Sequence, residues 1–171
     1  MIRARHIFAT ILVFLVAGCG DAPEVDEPVA DPTPEQPEEL IDPTTEQYAA
    51  ELDIDFDEME TTELGVYYRV DEPGDGEVAE VGHSVTVHYR GNLVDGTVFE
   101  DSRELDQPIT VELGAQEVIQ GWEDGIIGMQ VGEQRTLVIP PHLAYGAAGA
   151  GGGVIPPNAV LVFQVELMEI H

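Results

Sequence analysis

Two stretches of this chain carry the side chains whose types and spacing suggest a function. Ala144-Tyr145-Gly146 and Val154-Ile155-Pro156-Pro157-Asn158 flank a run rich in glycine, and Val118-Ile119-Gln120-Gly121-Trp122-Glu123-Asp124-Gly125 lies upstream of them. A tryptophan, a tyrosine and paired aliphatics beside a loop describe an apolar binding pocket rather than a reactive centre. The usual reactive centres lack their components. Ser84 and Ser102 lack the glycine-flanked elbow of a hydrolase nucleophile, and the chain has only five histidines, one of them in its first ten residues. His83 and His88 fall at an odd offset in a strand-like region, which turns their side chains to opposite faces. A single cysteine excludes an internal disulfide and a thiolate metal cluster. No cofactor and no metal is expected.

These residues need a scaffold, and the hydrophobic pattern supplies one over 65–171. Val66–Val70 is rich in aromatic and branched residues, and Ser84–Arg90 alternates Val85, Val87 and Tyr89 with Thr86, His88 and Arg90. Ile109–Leu113 and Glu133–Ile139 read as further strands. Ala159–Ile170 sets Leu161, Phe163, Val165 and Leu167 on one side. Turn residues at Pro73-Gly74-Asp75-Gly76, Asp95-Gly96 and Gly132 separate these runs. Gln116–Ile127 is the helix candidate, because Val118, Ile119, Trp122 and Ile126 recur at three- and four-residue spacing. The expected fold class is α+β: a twisted antiparallel five-stranded sheet wrapped around one short helix, with a pocket at the helix's rim.

The ordered set Val87-His88-Tyr89-Arg90-Gly91, Asp95-Gly96-Thr97-Val98-Phe99, Glu117-Val118-Ile119-Gln120-Gly121-Trp122, Ala144-Tyr145-Gly146 and Ile155-Pro156-Pro157-Asn158-Ala159 resembles the FKBP-type peptidyl-prolyl isomerases, the macrolide-binding immunophilins. The likeness covers essentially all of 65–171. It implies that Trp122 is the pocket floor, that Tyr89, Phe99 and Phe163 are aromatic walls, and that Val118, Ile119 and Ile155 complete the lining, with Val154 at the rim. It further implies that the Tyr145 hydroxyl and the Ile119 backbone N–H donate to carbonyls flanking a proline. Where the family commonly has an aspartate after the strand phenylalanine, this chain has Glu100 and then Asp101, and either can supply the pocket carboxylate. Leu105 stands where many members pair an arginine with that acid, with Arg103 a possible substitute. Ile109 and Val111 replace two frequent phenylalanines. The expected partners are proline-containing polypeptides and macrolide-type inhibitors.

Such an activity needs only a pocket. Rotation about a peptide bond faces a barrier of about 18–20 kcal/mol from amide resonance, while the two X-Pro isomers lie close in energy. A planar amide is the more charge-separated form, so a dry aromatic cavity penalises it more than the twisted one. A peptide-binding or chaperone-like module with little turnover would use the same residues, and the changes at 100, 105, 109 and 111 keep that alternative open. Taken singly, Trp122, Phe99 and Phe163 would read as core, and His88 as structural or exposed rather than a base.

The remainder of the chain concerns its address. Arg3 and Arg5 precede an apolar run, Ile7–Val16, too short for an ordinary membrane helix, and Leu15-Val16-Ala17-Gly18-Cys19 resembles a bacterial lipobox. Residues 1–18 are expected to be a lipoprotein signal peptide, with Cys19 lipidated as the first mature residue. Residues 19–64 read as an acidic, Pro-rich linker, disordered at first and ambiguous over 44–63, where Tyr48, Leu52, Ile54, Phe56 and Met59 suit a short helix or an arm packed on the domain. The expected localisation is the bacterial cell envelope, the domain facing periplasm or exterior. Gly20 after the cysteine favours the outer membrane of a two-membrane cell. With 34 Asp and Glu against 6 basic residues, all arginine, and a net charge of −28, nucleic acid is not an expected partner. The same charge favours a monomer.

Overall fold

The computed structural model describes residues 41–171. The expected signal peptide, the expected lipidation site at Cys19 and the first part of the expected linker lie outside the described residues. Strands β1 (Glu60–Thr61), β2 (Tyr67–Glu72), β3 (Ser84–Leu93), β4 (Val98–Asp101), β5 (Ile109–Glu112), β6 (Gln134–Ile139) and β7 (Leu161–Ile170) form one antiparallel sheet. Its order is β1-β2-β6-β7-β3-β4, and β5 pairs with β3. The single α-helix among the described residues, α1, spans Gln120–Ile126. All five expected strands are present. The two additions are β1, only two residues long, and β4, whose Val98-Phe99-Glu100-Asp101 follows a turn too closely for alternation to reveal it.

Period-two alternation divides the sheet's residues between two faces. Val85, Val87 and Tyr89 of β3, Leu137 and Ile139 of β6, and Leu161, Phe163, Val165 and Leu167 of β7 form one cluster with Trp122 and Ile126 of α1. The alternate residues Val138, Val160 and Val162 face the other way. Three single-turn 3-10 segments, Pro43–Thr45, Ala50–Leu52 and Phe56–Glu58, lay Leu52, Tyr48, Ile54, Phe56 and Met59 over that second face. Leu52 is buried there, and the Ala49 N–H donates to the Val94 carbonyl at 2.8 Å. The segment left ambiguous by its composition is therefore an arm packed on the sheet.

The helix begins four residues later than its apolar stripe predicts. Ile119, the residue before it, is extended at φ −60°, ψ 145°, and Gln116 takes φ +59°. Glu123 holds the preceding loop, its carboxylate accepting from the N–H groups of Gln116 (2.8 Å) and Gly114 (3.3 Å). The helix lies close on β6 because Gly121 and Gly125, one turn apart, face it. A Cβ on Gly121 would stand 2.3 Å from Ile139 Cγ2, and one on Gly125 2.7 Å from Leu137 Cδ1. At the helix's far end the Gly125 carbonyl accepts from Arg135 Nη1 at 2.8 Å. Arg135 is itself buried, pairs with Glu133 at 2.6 Å and stacks 4.6 Å over the Tyr68 ring.

Candidate functional site

Between α1, β3, β4 and β7 the packing leaves a cavity of about 360 Å³, lined by Tyr89, Phe99, Glu100, Ile109, Glu117, Val118, Ile119, Trp122, Tyr145 and Phe163. That volume lies in the range that accepts a small apolar group or ligand. Five aromatic rings line it, and four of them interlock. Trp122 stands edge-to-face against Tyr89 (centroids 4.9 Å, planes at 84°) and against Phe163 (5.3 Å, 83°). Phe163 in turn meets Phe99 at 5.6 Å and 85°. Perpendicular contacts set the positive edge of one ring on the negative face of the next, and each locks its neighbour's orientation. Trp122 is only 4 % exposed, yet its indole lines the cavity. Its Nε1–H is buried and has no hydrogen-bond acceptor.

Gly91 makes the aromatic wall possible. It sits on β3 opposite Glu100 of β4 and Phe163 of β7. A Cβ there would fall 2.5 Å from Phe99 Cζ and 2.9 Å from Phe163 Cε1. Both rings therefore lie directly on the strand backbone. Two residues earlier, Tyr89 is fixed by Ser102. The Tyr89 N–H donates to Ser102 Oγ at 2.8 Å, and Ser102 Oγ lies 3.1 Å from the Tyr89 carbonyl, to which it donates. His88 Nδ1 is 2.9 Å from the same hydroxyl.

The two acids of β4 end in different surroundings. Glu100 follows Phe99 and lines the cavity. Asp101 points away, accepts from the N–H groups of Arg103 (2.9 Å) and Glu104 (3.2 Å), and lies 3.6 Å from Arg90 Nε. Arg103 pairs with Glu166 instead of Glu100. Leu105 is 59 % exposed. Burial, and then the Glu100 carboxylate as acceptor and as charge, hold the Tyr89 hydroxyl above the ordinary tyrosine value of 10.0. Burial and Glu100 raise Tyr145 as well. Both phenols therefore stay neutral donors across the physiological range.

Of the residues singled out in the sequence, Tyr89, Phe99, Glu100, Val118, Ile119, Trp122, Tyr145 and Phe163 come together around this cavity. Ile155 does not line it. It is buried in the core cluster, exchanging two backbone hydrogen bonds with Ala150 at 3.0 and 3.1 Å, which close the glycine-rich loop on itself. Val154 is 55 % exposed and also outside the lining. Ile109 lines the side wall while Val111 is core. Glu117 is a lining residue with no role anticipated, since its place on the loop before α1 carries no periodic signal. Tyr145, half-open to solvent, and Ile119, whose N–H has no backbone acceptor among the described residues, both line the cavity. Among the described residues no group of three or more His, Cys, Asp or Glu is placed to hold a metal ion. No helix there is long and apolar enough to cross a membrane.

Comparison with known proteins places this geometry. A family model described as FKBP-type peptidyl-prolyl cis-trans isomerase matches residues 76–168. FK506-binding protein 1 of Dictyostelium discoideum is 51 % identical over 105 residues, 61 % of this chain and 97 % of that protein. An FK506-binding protein of Neisseria meningitidis serogroup C is 50 % identical over 96 residues, 56 % of this chain and 87 % of its own length. Among solved structures, FkpA from Escherichia coli superposes with a TM-score of 0.60 at 42 % identity, over 66 % of this chain and 51 % of that one. AtFKBP13 superposes with a TM-score of 0.61 at 39 % identity, over 67 % and 99 % of the two chains.

Proposed function

This chain belongs to the FKBP-type peptidyl-prolyl cis-trans isomerase family and is a prolyl isomerase, and from that premise we propose that it works on X-Pro segments of exported polypeptides, held in the aromatic cavity over Trp122. The observation that carries this reading is the cavity itself: open to solvent, floored by an indole and walled by Tyr89, Phe99 and Phe163.

The proline ring rests on Trp122 between those walls, with Val118, Ile119 and Ile109 beside it. Tyr145 Oη–H and the Ile119 N–H donate to carbonyls flanking the imide bond. Ile155 supports the cavity from the core, and Val154 contacts only chain that extends past the mouth. The planar imide, with its larger dipole, loses more hydration on entry than the twisted form, so the barrier of about 18–20 kcal/mol falls without any covalent step. A macrolide that buries an apolar ring in the same space competes for it. FK506 appears in the names of the Dictyostelium and Neisseria relatives, which supports that ligand class here.

The cell-envelope setting rests on the sequence of the first nineteen residues. A lipidated Cys19 anchors the chain, preferentially in an outer membrane, and the acidic linker holds the isomerase off that surface. The test is cis-to-trans exchange of a proline peptide by the full chain, with and without a macrolide competitor. Acceleration that the macrolide abolishes supports the reading. Tight peptide binding with no acceleration assigns the cavity to a binding module instead.

A further inference from the structure

Besides its aromatic and aliphatic lining and the Tyr89 and Tyr145 hydroxyls, the cavity carries two acidic side chains, Glu100 and Glu117. Neither has a cationic partner among the described residues. The chain contains no lysine, and each of the four described arginines is engaged elsewhere. Arg69 pairs with Asp53 and Asp71, Arg90 with Asp101, Arg103 with Glu166, and Arg135 with Glu133. Asp101 is thus neutralised while its neighbour Glu100 is not. Glu117 Oε2 accepts one backbone N–H, from Glu112 at 3.1 Å, which leaves most of its acceptor capacity facing outward. An uncharged proline ring has no use for these anions. Both residues are exposed at the cavity's edge, so at low ionic strength their field reaches into solvent and repels any acidic segment that approaches.

Resting on the reading that this cavity holds X-Pro segments, we propose that Glu100 and Glu117 make the enzyme selective for prolines with lysine or arginine as an immediate neighbour. A basic side chain suits the site in both its parts. Its hydrocarbon stem packs along an apolar wall while its head reaches the carboxylates at the mouth. The chain-wide charge of −28 draws cationic substrates from a distance, and the two cavity acids convert that attraction into contact. The ion pair forms equally with planar and twisted imide, so the selectivity resides in KM and leaves kcat unaltered.

The experiment uses the full chain and peptides of one length in which lysine, glutamine or glutamate precedes the proline, with a second set in which it follows. In at least one set the expected order of kcat/KM is Lys above Gln above Glu, with a Lys:Gln ratio of roughly fivefold near 0.01 M ionic strength. The ratio approaches one at about 0.5 M, where the screening length has contracted to a few ångströms. Glu100→Gln and Glu117→Gln each lower the ratio. Glu169→Gln keeps it, because that exposed residue lies on β7 about 20 Å along the strand from Phe163. The ratio compares two peptides in one variant, so any general loss of activity cancels. If the glutamine peptide is not accelerated at all, the isomerase reading fails first. If it is accelerated but lysine gains nothing in either set, or Glu169→Gln erodes the ratio as much as the cavity variants, the selectivity is overturned and the isomerase reading stands.

Discussion

The indole of Trp122 meets the ring of Tyr89 at right angles, with centroids 4.9 Å apart, so the floor of the cavity and one wall hold each other in place. Trp122→Leu keeps an apolar floor but removes the flat surface and that edge contact. It should lower kcat/KM for a neutral proline peptide by about tenfold, since an aromatic contact of this kind is worth roughly 0.5–1.5 kcal/mol beyond its buried area. A variant that stays folded by circular dichroism and turns over at the parent rate would sink the assignment of the floor.

Gly91→Ala tests the seating of the two phenylalanine rings. Its new methyl meets Phe99 Cζ at 2.5 Å and Phe163 Cε1 at 2.9 Å, both parts of rings packed on the strand. Overpacking of this kind costs about 1–3 kcal/mol. The melting temperature should fall and the cavity should narrow, with KM for the proline peptide rising. A fall in melting temperature with KM unaltered would separate the seating of these rings from substrate binding.

Leu52 closes the sheet's second face, away from the cavity. Leu52→Ala should cost about 2–5 kcal/mol in urea unfolding, with kcat/KM unaffected well below the transition. Removal of residues before Gly65 should be worse, because Val138, Val160 and Val162 lose their cover together. An equal urea midpoint for the parent and the shortened chain would show that the arm contributes nothing.

Alkaline pH should destabilise the fold. Tyr48, Tyr68, Tyr89 and Tyr145 all have their hydroxyl pKa raised above the ordinary 10.0, Tyr68 chiefly by donating to Glu60 and the others chiefly by burial. A raised folded-state value means that the unfolded chain releases its protons first as pH climbs. The stabilising effect is therefore complete below pH 10 and is lost above it. The melting temperature should be insensitive to these groups up to about pH 9 and fall beyond 10. Tyr89→Phe should show a shallower alkaline fall than the parent. Parallel curves would argue that Tyr89 contributes no such linkage.

Cys19→Ala tests the anchor. The parent should sediment with the envelope fraction and incorporate radiolabelled fatty acid, whereas the variant should do neither. Incorporation of label by the variant would remove Cys19 as the lipidation site.

Much of the scaffold was legible because strands with one buried face write their burial into every second residue. Ser84–Arg90 and Ala159–Ile170 show it plainly, and both lie where expected, as β3 and β7. β4 was not legible, since four residues after a turn give too few alternations, and with it went the choice between Glu100 and Asp101. The start of α1 was misjudged for a related reason. Val118 and Ile119 are apolar because they line a cavity, and their spacing extends the helical stripe into residues that are not helical.

Taken alone, the order of side chains determined the strand pattern, the family likeness and the set of aromatic residues that had to meet, because burial and turn chemistry act on neighbours along the chain. What it could not determine was which groups end up facing one another. The contact of Gly91 with Phe99 and Phe163, the turning of Asp101 toward Arg90, and the placement of Ile155 in the core rather than in the cavity lining arise only when distant segments pack. A strand's register sets them, and register is settled by the whole sheet at once.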